Sequence, residues 1–235
     1  MKKTDGNFGN ENSFHSFVPR NRSMETKERI MLKAQELFMQ FGIRSVSMDD
    51  IANSLGMSKK TVYQYYADKD ELVEAVVERH ISEVQGECIS CRENAKDAIH
   101  EINLTMEHIM EELGSMNPML LYDLEKFHYR SYKRFRDYKD KFLAEMIRRN
   151  IEWGIKEELY RAEVNIDIMC RFRLESMMIP FNVSLFPPGK YNLANVSAQL
   201  IEHFVYGLAT IKGHKLIQKY NEQRQKKQQY EDAKK

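Results

Sequence analysis

From residue 25 onward, the apolar residues recur at helical spacing and are punctuated by caps and glycines rather than by strand-like alternation. Residues 25–41 put Ile30, Ala34, Leu37, Phe38 and Phe41 on one stripe, and Gly42 can end that helix in the left-handed conformation. Ser47 followed by Asp50 is a capping box for a short second helix with Ile51, Ala52 and Leu55 inward, closed by Gly56. Ser58 caps a third helix whose inward residues, Val62 and Tyr66, lie four apart. Asp68 and Glu71 cap a long helix carrying Leu72, Val73, Val76, Val77, Ile81 and Val84. Further helices are predicted over 95–116, over 118–149 from Pro118, and over 166–186 with a kink at Pro180. After the break Pro187-Pro-Gly189, one final helix is predicted from 193 to about 220. The pattern predicts an all-α chain of about nine helices.

The third helix has nothing apolar on its outward side. Lys60 and Gln64 point most directly out, Thr61 lies beside them, and Tyr63 and Tyr65 flank them. Ammonium, amide, hydroxyl and phenol groups together suit base edges and phosphates, which makes this a candidate recognition helix of a helix-turn-helix. Gln64 and Thr61 are the expected base readers, because an amide can pair bidentately with adenine.

Three stretches also resemble a known family: Ser47-Met-Asp-Asp-Ile-Ala52, Leu55-Gly-Met-Ser-Lys-Lys-Thr-Val-Tyr-Gln-Tyr-Tyr66 and Asp68-Lys-Asp-Glu-Leu72. Together they make the run from 30 to 72 similar to the DNA-binding domain of the tetracycline-repressor (TetR) family of bacterial transcriptional regulators. The resemblance implies a homodimer that places two recognition helices in successive major grooves of a palindromic double-stranded operator, more often as a repressor. It implies groove contacts by Ser58, Lys59, Lys60, Thr61, Gln64 and Tyr65, and phosphate contacts by Ser47, Tyr63 and Lys69. It also implies release by a small-molecule effector bound in the C-terminal body. The stretch 147–161 resembles the family's helix-ending motif before its last two helices, which form the dimer seam. Here that seam is expected to use Phe172, Leu193, Val196, Leu200, Phe204, Leu208 and Ile211.

The domain reading follows. Residues 1–23 are a disordered leader, or else an arm bringing Arg20 and Arg22 to a groove. Residues 24–71 are the DNA-binding head, 72–220 the ligand-binding and dimerisation body, and 221–235 a polar tail. Methionine and aromatic residues between helices make an adaptable apolar pocket, for which Met106, Met110, Phe127, Trp153, Met177, Met178 and Phe181 are the candidates. An apolar or aromatic effector is expected.

Charge qualifies this picture without overturning it. The net charge is +1, and the segment 24–70 carries seven basic and seven acidic residues. A non-specific architectural DNA protein, one alternative, would be more basic. Lys59 and Lys60 stand in a stretch, 57–66, free of acids. With three cysteines, no signal-peptide pattern and no apolar run of about 20 residues, a soluble cytoplasmic protein is expected. Cys88-Ile-Ser-Cys91 lacks a second ligand pair, so no metal or cofactor is expected. A redox- or metal-responsive regulator acting through Cys88 and Cys91 is the other alternative. None of the seven histidines sits in a catalytic motif, so no enzyme is expected.

Overall fold

The computed structural model describes residues 20–232, with side-chain surroundings for 25–226. The fold is all-α; among the described residues there is no strand beyond isolated bridges, one pairing Tyr160 with Ala209. Helix α1 (Arg20–Phe41), α2 (Met48–Ser54) and α3 (Lys59–Tyr65) form the head. Helix α4 (Lys69–Asn94) runs from the head into the body. The body comprises α5 (Ala98–Leu113), α6 (Leu120–Phe127), α7 (Tyr129–Tyr138), α8 (Ala144–Lys156), α9 (Ile166–Ser176), α10 (Leu193–Leu208) and α11 (Ile211–Asp232). The first helix thus begins four residues before the expected boundary at 24. The rest of the expected leader lies outside the described residues.

Capping side chains set several of these starts. Ser47 and Asp50 form the reciprocal capping box, Ser58 accepts from the Thr61 N–H, and Asp68 accepts from the Glu71 N–H. Gly42 and Gly56 both take positive φ, as their turns demand. Where the long predicted helices break, the cause is local. His128, whose backbone leaves the helical region (φ −131°, ψ 54°), parts α6 from α7, and a π-helical turn (Lys139–Leu143) joins α7 to α8. Pro180 ends α9 rather than kinking it: the helix stops at Ser176 and a 3₁₀ turn (Ile179–Phe181) follows. The expected single last helix is two. Ala209 is extended, the Thr210 N–H donates to the Leu159 carbonyl at 2.9 Å, and the Thr210 hydroxyl accepts from the Gly213 N–H at 3.1 Å to start α11. That helix continues to Asp232, through most of the expected polar tail.

Two buried clusters result. One joins α1–α4 around Ile30, Phe38, Ile51, Val62 and Leu72 and takes in Leu124 of α6. The other joins α5, α8, α10 and α11 around Ile99, Ile151, Tyr160, Ile201 and Leu208. Because α6 contributes to the head's own cluster, head and body share packing and not just the α4 linker.

Candidate nucleic-acid interface and internal cavity

On α3 only Val62 is buried; Lys60, Tyr63 and Gln64 are exposed on the side away from the head core. Thr61 is half-buried, its hydroxyl 2.8 Å from that of the Ser58 cap. Ser47 is exposed but spends its hydroxyl on Asp50, at 2.6 Å, and this bond holds the Asp50 carboxyl below the usual range. Lys59 pairs with Asp49 of α2 at 2.9 Å, which raises its pKa. An exposed pair of this kind opens at little cost, so Lys59 can trade Asp49 for a phosphate.

Two expected contacts are placed differently. Tyr65 packs against the head cluster, because at helical spacing it falls next to the buried Val62 and Tyr66 rather than opposite them. Lys69 is turned inward: its ammonium donates to the Ile43 carbonyl at 2.6 Å and lies 5.9 Å from the Phe38 ring centroid, and burial lowers its pKa. A lysine in the first turn of a helix faces the positive end of the dipole, which is itself a sequence signal that the ammonium finds another partner. In this position Lys69 ties α4 to the corner between α1 and α2.

That corner is held from the body as well. The buried Asp123 of α6 accepts from the Arg44 N–H at 2.9 Å, the Asn117 N–H donates to the Met39 carbonyl at 2.6 Å, and Arg44 lies over Phe127.

Below it lies a cavity of about 300 Å³, within the range of small-molecule sites. Its wall is mostly apolar. Phe38 and Ile43 of the head face it, with Val76 of α4, Leu124 of α6, Ile109 of α5 and Leu200 of α10. Of the seven residues expected there, Met177, Met178 and Phe181 line it. The other four do not. Met106 is buried in the body cluster and Met110 packs beside it; Trp153 is stacked by the Arg92 guanidinium at 3.8 Å; Phe127 sits half-exposed at the head–body joint. The residues missed come from the head itself and from α4 to α10. The α4 stripe carried the signal, because it runs on past the head cluster to Ile81 and Val84, which line the cavity.

Burial pushes the Cys88 thiol up to about 12, with Cys91 and Glu87 adding to the effect, and it raises Cys91 too. A protonated, buried thiol is a poor nucleophile and a poor metal ligand. Among the described residues no group of three His, Cys, Asp or Glu is placed to hold a metal ion.

The expected seam residues divide. Leu193, Phe204 and Leu208 are buried within the chain, Leu208 and Phe204 in the body cluster, and Leu200 faces the cavity. They are core because α10 packs on α5 along that side. Phe172 (49% exposed) and Ile211 (80%) face outward, and Val196 is half-buried.

A capped helix-turn-helix with an exposed polar third helix defines a DNA-binding protein. Residues 30–76 match the family of bacterial regulatory proteins, tetR family, so the chain carries a TetR-type DNA-binding domain. It is 33% identical over 129 residues to the uncharacterized HTH-type transcriptional regulator YvaF of Bacillus subtilis, covering 54% of this chain and 62% of that one. It is 37% identical over 57 residues to the HTH-type transcriptional activator FasR of Mycolicibacterium smegmatis, covering 24% of this chain and 26% of FasR. The chain therefore spans less than two thirds of these relatives. Among solved structures, a TetR-family regulator from Agrobacterium tumefaciens superposes with a TM-score of 0.67 at 13% identity, over 80% of this chain and all of the other. The ketosteroid transcriptional regulator KstR2 of Mycobacterium tuberculosis gives 0.57 at 16% identity, over 79% of this chain and 95% of the other. These two likenesses establish the fold.

Proposed function

We propose that this protein is a cytoplasmic, homodimeric transcriptional repressor that reads a palindromic operator and is released by a small molecule. One observation carries the reading. The exposed face of α3 belongs to a head whose core and corner also wall an apolar cavity in the body. A ligand in that cavity touches Phe38 and Ile43 directly, so it can bind one head placement better than another. Among the described residues no helix is long and apolar enough to cross a membrane.

Gln64 reads a base and Lys60 holds a phosphate. On a site recovered by random-site selection, Gln64→Ala is expected to lose about 1–3 kcal/mol of discrimination at one base pair per half-site. Lys60→Ala should weaken binding to all sequences alike and make the salt slope shallower by about one per protomer. Gel-shift titrations at several salt concentrations measure both. A Gln64→Ala protein with unchanged sequence preference would show that α3 does not read bases.

The exposure of α9 and α10 supports a different seam from the one expected. Ile168 and Phe172 on α9 lie exposed, and the exposed stripe of α10 is Asn195, Gln199, His203 and Gly207, four apart. Those two faces suit a four-helix contact across a two-fold axis. Phe172→Glu is expected to shift the dimer to monomer in analytical ultracentrifugation at micromolar protein, with the helical circular dichroism unchanged. A Phe172→Glu protein that still sediments as a dimer would exclude this face.

A redox- or metal-responsive switch at Cys88 and Cys91 has no support from the thiol environment, and a non-specific DNA protein has none from the balanced charge of the head.

A further inference from the structure

Within the cavity just assigned to an effector, one charge stands without an opposite. Arg173 of α9 lines the wall and is only 9% exposed. A guanidinium has five N–H donors. Arg173 uses one, to the Ser176 hydroxyl at 3.4 Å, which is at the outer limit for a hydrogen bond, and it lies 5.9 Å from the Phe204 ring centroid. No carboxylate pairs with it among the described residues, and burial alone pulls its pKa down to about 10. The other cations and acids of the wall are matched or wet. Lys139 pairs with Glu175 at 2.7 Å, Glu101 with Arg92 at 3.0 Å and Glu112 with His80 at 3.1 Å, while Glu87 is exposed. The buried Ser197 hydroxyl, on the same wall, makes no hydrogen bond among the described residues.

A buried, unpaired charge is strongly unfavourable unless something completes it. The surrounding wall is hydrocarbon. We propose that the effector is an amphipathic anion: an apolar body filling the space between α4, α5 and α6, and a single carboxylate received by the Arg173 fork. The planar guanidinium matches a carboxylate bidentately, as no other wall group can. The charge that destabilises the empty protein is thereby the charge that selects its ligand. This inference rests on the cavity being the effector site and adds the chemistry of its head group.

Decanoate, decanol and decyltrimethylammonium share one chain and differ in charge, so they serve as probes below their micelle concentrations in isothermal titration calorimetry. Wild type is expected to bind decanoate at least about tenfold more tightly than decanol. Arg173→Met should abolish that preference by weakening decanoate about 10- to 100-fold while leaving decanol unchanged, which also certifies an intact cavity. Without ligand, Arg173→Met should melt about 2–4 °C above wild type, whereas a merely structural arginine would make the variant melt lower. Equal binding of decanoate and decanol by wild type, or a preference that survives in Arg173→Met, overturns the anion assignment and leaves the cavity as a neutral site. If none of the three amphiphiles binds, the assignment of the cavity to an apolar effector falls with it.

Discussion

Replacing Gly154 by alanine is expected to destabilise the body by about 3 kcal/mol. Gly154 is buried in the last turn of α8, and a Cβ there would lie 2.1 Å from the Tyr160 ring. The ring has nowhere to go. Tyr160 is 1% exposed, and its hydroxyl donates to the Asn150 side-chain oxygen at 3.2 Å. Asn150 in turn donates to the Ala98 carbonyl at 2.9 Å and to Glu101 at 2.7 Å, and Glu101 is the partner of Arg92. Displacing one ring therefore strains a buried polar network that ties α8 to α5 and α4. The turn itself is anchored on the same residue, since the Leu159 and Tyr160 N–H groups both donate to the Gly154 carbonyl. Urea unfolding followed by circular dichroism measures the loss. Gly86→Ala in the middle of α4 is the control: a Cβ there meets nothing within 4 Å, so the change should stabilise by about 0.5–1 kcal/mol. A Gly154→Ala protein within about 1 kcal/mol of wild type would mean that the α8–Tyr160 packing is looser than these contacts require.

This corner also shows where sequence reasoning reaches and where it stops. The stretch 147–161 stands out by resemblance, and local rules place Ser47, Ser58, Asp68 and Gly42 at helix boundaries because caps act within one turn. The outward face of α3 was legible for the same reason: Val62 and Tyr66 fix the inner side, and Lys60 and Gln64 must oppose it. The pocket was not, because which apolar residue faces a void depends on how several helices cross. Met106 and Met177 look alike in the sequence; one is core and the other cavity wall. The same holds at the seam, where Leu208 and Phe172 occupy amphipathic helices but α5 has already claimed Leu208. Arg173 lay within reach. Met169, Arg173 and Met177 are spaced four apart, so a cation shares a stripe with two methionines, and a charge on an apolar stripe asks for a partner.

Removing the Asp123 carboxylate is expected to separate ligand binding from DNA release. Asp123 stands where the head meets the cavity: it is 5% exposed, accepts from the Arg44 N–H, and rides on α6 between Leu120 and Leu124, which both line the cavity. A shift of α6 caused by a ligand therefore moves the acceptor that holds the head's corner, while Lys69 holds the same corner from α4. Asp123→Ala leaves a backbone donor unpaired at that joint and should destabilise the protein by about 1–3 kcal/mol. Asp123→Asn keeps an oxygen that can accept from Arg44 but gives up the charge that draws the Lys69 ammonium, so its loss should be the smaller of the two. The larger consequence is functional. Coupling between two sites in a protein of this size is typically about 1–3 kcal/mol, a factor of about 5–150 in affinity. With the α6 tether cut, Asp123→Ala should bind operator and effector separately yet lose most of that factor when both are present. The measurement is operator affinity with and without saturating effector, for wild type, Asp123→Ala and Asp123→Asn. Undiminished release in Asp123→Ala would assign the coupling to the α4 path through Lys69, and Lys69→Met would then be the variant that abolishes it.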